Sequence, residues 1–92
     1  MTKIDIERNP DERRLRNLGV RDWPIWDKEE SEFPWHYDSA ETCYFLAGSV
    51  VVTPQDGEPV EVGQGDLVTF PAGMTCTWKV RTPVKKHYSF GD

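Results

Sequence analysis

The stretch Gly65-Asp66-Leu67-Val68-Thr69-Phe70-Pro71-Ala72-Gly73-Met74-Thr75-Cys76-Thr77-Trp78-Lys79-Val80-Arg81 reads as strand, turn, strand, and it decides the fold class. Residues 75–81 alternate without a break: Cys76, Trp78 and Val80 fall on one face, and Thr75, Thr77, Lys79 and Arg81 on the other. That two-residue period belongs to a half-buried strand, because successive side chains leave a pleated backbone on opposite sides. Pro71-Ala72-Gly73 fixes the preceding turn through proline's locked φ and glycine's freedom at positive φ. Cys76 is thereby expected to face inward.

Outward from this stretch the same grammar repeats. Strands are predicted over 25–28, 32–37, 42–47, 50–53, 59–62, 67–70, 75–81 and 84–90, separated by Asp38-Ser39-Ala40, Gly48, Pro54-Gln55-Asp56-Gly57, Gly63-Gln64-Gly65-Asp66, Pro71-Ala72-Gly73 and Thr82-Pro83. Short strands divided by such turns point to an all-β sandwich or barrel. Gly48 and Gly65 are read as tight reversals between strands. Ahead of the barrel, residues 1–9 suggest an edge strand. Pro10-Asp11-Glu12 then suggests one short helix, with Asn9 as N-cap and Gly19 as its end. Within 41–47, Glu41, Cys43, Phe45 and Ala47 share one face and Thr42, Tyr44 and Leu46 the other. Both faces are largely apolar, which leads us to expect a sheet covered on both sides, with a neighbouring subunit as one cover.

A chain of 92 residues has room for one core. A single domain is expected, with the N-terminal strand and helix in 1–19 and the barrel in 20–92. So small a chain hides a modest share of its surface, which favours a homodimer. The net charge of −5, from 16 acidic and 11 basic residues, argues against a groove that tracks phosphates, so no nucleic-acid partner is expected. Arg13, Arg14 and Arg16 stand beside Asp11 and Glu12 and read as a solvated helix face. No apolar run approaches the ~20 residues of a membrane helix. The N-terminal residues lack the apolar stretch of a signal peptide, so a cytoplasmic protein without a membrane partner is expected, with Cys43 and Cys76 as free thiols.

Two segments carry a resemblance. In Glu41-Thr42-Cys43-Tyr44-Phe45-Leu46-Ala47-Gly48 six residues separate a glutamate from a glycine, and five residues separate Gly65 from Pro71-Ala72-Gly73. This spacing resembles the paired motifs of the cupin superfamily, and with Trp23-Pro24-Ile25-Trp26 it looks like a minimal cupin related to the (S)-ureidoglycine aminohydrolase cupin domain. The resemblance covers about residues 20–90 and implies a double-stranded β-helix, the cupin jelly-roll barrel. It also implies a metal, expected to be manganese, held by His-x-His, a glutamate and a later histidine. In this chain those places fall on Trp35, Tyr37, Glu41 and Cys76, and Glu41 alone keeps its usual identity. The three-histidine site is therefore lost, and no cofactor is assigned. A register shifted by one residue would turn His36 inward and rebuild an atypical divalent-metal site from His36, Glu41 and Cys76.

Glu41 faces an apolar-rich surface, where a carboxylate is costly unless paired, hydrogen-bonded or protonated. It reads as a general base or metal ligand, or else as a carboxylate at the barrel mouth bonded to a tyrosine or backbone N–H groups. Cys76 joins Glu41 as the other candidate catalytic residue. Trp35, Tyr37, Cys43 and Trp78 are candidate ligand-binding residues around them, since an aromatic-walled cavity with one acid group suits a small polar ligand. His87 is read as a surface residue by strand parity, and as a further ligand-binding residue or proton shuttle if it turns inward. The expected function is binding of a small polar metabolite in the barrel. The alternative is a metal-assisted hydrolase or isomerase of a ureide, amine or sugar-like compound, similar to ureidoglycine aminohydrolase.

Overall fold

The computed structural model describes residues 3–91. Its elements, in chain order, are β1 (Asp5–Arg8), α1 (Glu12–Leu18), a 3₁₀ turn (Val20–Asp22), β2 (Ile25–Lys28), β3 (Ser31–His36), β4 (Ala40–Pro54), β5 (Val60–Gly63), β6 (Asp66–Phe70) and β7 (Thr75–Gly91). All strand pairs are antiparallel. The result is the all-β barrel with one short helix that the residue pattern implied, in the jelly-roll form that the resemblance implied. Among the described residues, no helix is long and apolar enough to cross a membrane.

The main departure from expectation lies in β4 and β7, which are two long bent strands where four shorter ones were predicted. They pair with each other along their lengths. The first part of β4 is flanked by β6, and β6 by β1; the second part is flanked by β5. On the other side, β3 pairs with the first part of β7 and β2 with the second. Two sheets thus share β4 and β7, each strand turning a corner from one sheet into the other.

Gly48 is that corner and not the reversal it was read as. The register slips between Phe45 and Ala47, again before Ser49, and again before Val50. Cys43 and Phe45 point inward before the slip, Val50 and Val52 after it. A bulge lets one strand change the parity of its buried face. Gly48 has φ 88°, and a Cβ there would run into the Pro83 carbonyl oxygen and stand 2.7 Å from Val84 Cα. Gly65, at φ 89°, does stand in a turn between strands, as read.

At the N-terminus, the helix is capped by Asp11, whose side chain accepts from the Arg14 backbone N–H at 2.9 Å. The expected cap, Asn9, is engaged elsewhere: its φ is 49° and its N–H donates to the Gly65 carbonyl. Gly19 ends the helix in the left-handed conformation, as expected. On the outer face of the two-faced strand, Thr42, Tyr44 and Leu46 are half-buried, and part of their cover comes from this chain. Leu67, Tyr44 and His87 form a cross-strand row on the outer face. The Arg21 guanidinium lies 5.7 Å over the Tyr44 ring, and His87 Nδ1 donates to the Trp23 carbonyl at 2.9 Å.

Inside, Trp78 is the hub. Its ring meets those of Trp26, Phe33, Phe45 and Phe70 at centroid distances of 5.8, 6.1, 6.3 and 5.8 Å. Its Nε1–H donates to the Tyr37 hydroxyl at 3.1 Å, and Tyr37 stacks on Phe70 at 5.0 Å. Cys43 and Cys76 fill the space between, both buried. Burial disfavours thiolates, so Cys43 is pushed up to about 12 and Cys76 to about 11 from 9.0.

Two expectations follow. Gly48→Ala combines a left-handed alanine with a backbone collision and should cost about 2–5 kcal/mol by chemical denaturation. Secondly, an acid whose pKa is raised by folding stabilises fully below its unfolded pKa and loses that contribution as pH climbs to the folded value. Stability should therefore decline across the window from about 9 to about 12, by up to about 1.4 kcal/mol per pH unit for each thiol. Denaturation midpoints measured stepwise from pH 8 to 11 should fall less steeply in the Cys43→Ala/Cys76→Ala double variant.

Candidate functional site

One end of the barrel opens on a cavity of about 200 Å³ lined by Trp26, Trp35, Glu41, Tyr88 and Phe90. Strand register explains the grouping. Glu41 on β4 stands opposite Phe90 on β7, and Cys43 opposite Tyr88. Trp26 of β2 stands opposite Lys86 of β7. Trp35, on β3 opposite Cys76, keeps 47% of its surface exposed and Phe90 61%, so two aromatic rings face solvent at the rim.

Beneath the cavity lies an ion pair. Lys86 Nζ is 3.0 Å from Glu41 Oε2 and 3.1 Å from Cys43 Sγ, and the Cys43 thiol donates to the same carboxylate oxygen at 3.3 Å. Both charged residues are only 4% exposed. The ammonium also sits 4.7 Å from the Trp78 ring centroid, 5.0 Å from Trp26 and 6.0 Å from Phe45. A cation over aromatic faces is attracted by the ring quadrupoles, and more strongly when desolvated. Glu41 Oε1 takes no protein donor among the described residues, and Glu41 lines the cavity. One carboxylate oxygen is thus held from below while the residue borders the open space.

The structure divides the predicted residues into two levels. Trp35 and Glu41 line the cavity, whereas Tyr37, Cys43, Cys76 and Trp78 are packed below it in the core. His36 is not turned inward: its ring lies on the outer face, with Nδ1 2.8 Å from Thr75 Oγ1 and Nε2 3.6 Å from Asp38. The shifted register is not adopted because the unshifted one places Phe33 against Trp78 and Tyr37 against Phe70. His87 is neither on the surface nor in the barrel; it is buried on the outer face beneath Trp23. Lys86, Trp26, Tyr88 and Phe90 were not singled out as a site. Strand parity did set Tyr88 and Phe90 on one apolar face, and Lys86 shares that parity.

The residues at the four metal positions do not suit a divalent ion. Trp35 offers no lone pair. Burial holds the Tyr37 phenol far above its ordinary value, and nearby Cys43, Glu41 and Cys76 add to this; the Trp78 N–H only partly offsets it. Burial keeps Cys76 a thiol, the protonated form that is a poor metal ligand. Glu41 has an ammonium on Oε2. Among the described residues, no three His, Cys, Asp or Glu side chains are arranged to hold a metal.

The chain matches the model of the EutQ-like cupin domain over residues 15–88. It is similar to the solved structure of a DUF861 family protein from Thermotoga maritima, with 50% identity and a TM-score of 0.90, covering 99% of this chain and 100% of that one. The EutQ protein of Clostridium difficile is 23% identical over 72% of this chain, with a TM-score of 0.65, and the match takes in 52% of its own length. Oxalate decarboxylase of Bacillus subtilis, for which Mn(II) centres are described, is 19% identical with a TM-score of 0.57; the match covers 99% of this chain and 26% of that one. No curated protein matches. Matching over most of its length, and half identical to a DUF861 protein of equal extent, the chain belongs to the EutQ-like branch of the cupin superfamily.

Proposed function

We propose that this protein binds a small, neutral, polar metabolite at the barrel mouth, with Glu41 accepting a ligand N–H or O–H and the aromatic rim stacking on the rest. The observation that carries this reading is the cavity itself. It has four aromatic side chains and one carboxylate, and that carboxylate is already neutralised from behind by Lys86.

The ion pair decides the charge of the ligand. Brought to Glu41, a ligand cation would find a carboxylate whose charge Lys86 already balances, and it would have lost its own hydration. That loss costs several kcal/mol per ion in a protein interior. A ligand anion would meet the Glu41 carboxylate in a chain carrying −5 overall. A neutral amide, ureide or polyol avoids both penalties and supplies the missing donor. A volume near 200 Å³ holds about six or seven waters at ~30 Å³ each, which limits the ligand to a small molecule.

The finer reading, a metal-assisted hydrolase or isomerase similar to ureidoglycine aminohydrolase, has less support, because the donor set around Glu41 lacks the residues that chemistry uses. Binding without metal chemistry accounts for the aromatic replacements and for the buried pair together.

A thermal-shift panel of neutral compounds (methylurea, acetamide, small sugars) against ammonium salts (tetramethylammonium, ethanolamine) tests the proposal. Neutral donors should raise the melting temperature by binding the native state. Trp35→Ala, at a rim position, should leave the unliganded melting temperature near wild type and weaken binding about three- to tenfold. A response confined to the ammonium salts, or one indifferent to Trp35→Ala, would overturn it.

A further inference from the structure

We propose that Lys86 is a resident cation, its ammonium standing in this barrel where a divalent metal stands in metal-bearing barrels of the same fold. The inference concerns what balances Glu41 and holds whether or not the ligand reading does.

Three independent features of the geometry converge on it. Glu41 is the one residue that keeps its identity among the four motif positions, and it is the residue the ammonium grips, at 3.0 Å. The same Nζ lies 3.1 Å from Cys43 Sγ, so it draws on an oxygen and a sulfur, the donor types a borderline metal would use. Trp78, Tyr37 and Cys76 meanwhile fill the remaining interior as an apolar wall, with the Trp78 indole donating to the Tyr37 hydroxyl. That wall favours a cation held by ring faces over one that needs several lone pairs, and the ammonium has Trp78, Trp26 and Phe45 within 6.0 Å.

The substitution changes what the site can do. An ammonium tethered by a side chain cannot be chelated, exchanged or redox-cycled, and it has no open coordination position for a substrate oxygen. It can still balance the charge of Glu41 and orient its side chain.

Elemental mass spectrometry of the untagged wild-type chain, incubated in turn with Zn²⁺, Mn²⁺ and Ni²⁺ and then desalted, should find only traces of metal, and EDTA should leave its melting temperature unchanged. In parallel, Lys86 should resist acetylation by an amine-reactive ester that modifies Lys85 readily, as read by peptide mass spectrometry. Stoichiometric metal in the wild type, or Lys86 labelled as fast as Lys85, would overturn the assignment. Lys86→His and Lys86→Cys exchange the ammonium for a metal donor beside Glu41 and Cys43. At least one should gain stoichiometric Co²⁺, with a thiolate-to-cobalt absorption band and a melting temperature that falls on chelation. If both fold and neither takes up metal, Nζ does not occupy the metal's place. If neither folds with or without metal, the wild-type metal and labelling measurements decide alone.

Discussion

An ammonium 3.0 Å from a carboxylate, with both side chains almost wholly withdrawn from water, sets the terms for the rest of this barrel. At an effective dielectric of about 20, unit charges at that distance attract by about 5–6 kcal/mol. Withdrawing the two ions costs several kcal/mol each, so the pair by itself does little better than break even. The aromatic faces tip the balance. A desolvated cation–π contact is worth up to about 2 kcal/mol, and Lys86 has three rings around it. The abundance of large rings in so short a chain thus has a purpose beyond filling volume: the rings solvate a buried charge.

This dependence also orders the molecule in layers. Trp78 and Tyr37 close the bottom, Lys86 and Cys43 hold Glu41 from below, and Trp35 with Phe90 rims the opening above it. The fold is shared with oxalate decarboxylase of Bacillus subtilis, for which Mn(II) centres are described. The same inner surface serves a different electrostatic solution here, one in which the compensating charge is covalently part of the protein.

Much of the fold was legible because strand parity is a local property. Cys76, Trp78 and Val80 point inward as their alternation requires, and Gly19 ends its helix as glycine does. The corner at Gly48 was not legible, because a bulge and a reversal both call for glycine; what separates them is whether β7 continues alongside, and no local pattern records that. The site was read half correctly for a similar reason. Glu41 announced itself as a buried acid needing a partner. Lys86 shares the parity of Tyr88 and Phe90, yet lysines are so rarely buried that parity alone does not mark it as a core residue. Its reach toward Glu41 passes Cys43 from a position two rows away in the β4–β7 register, and only the assembled sheet brings those rows together.

The pairing of β4 with β7, and of β1 with β6, joins residues as much as 64 positions apart in the chain, as between Asp5 and Thr69. Topologies dominated by such distant partners fold slowly, since loop-closure entropy is spent before the contacts form. During synthesis, β4 emerges with Cys43, Phe45, Val50 and Val52 uncovered, and Glu41 has no counter-charge until Lys86 has left the ribosome. The barrel therefore cannot settle stepwise from its N-terminus. Its charge pair and its closing strand arrive together, which makes maturation of the fold an event that follows the synthesis of β7.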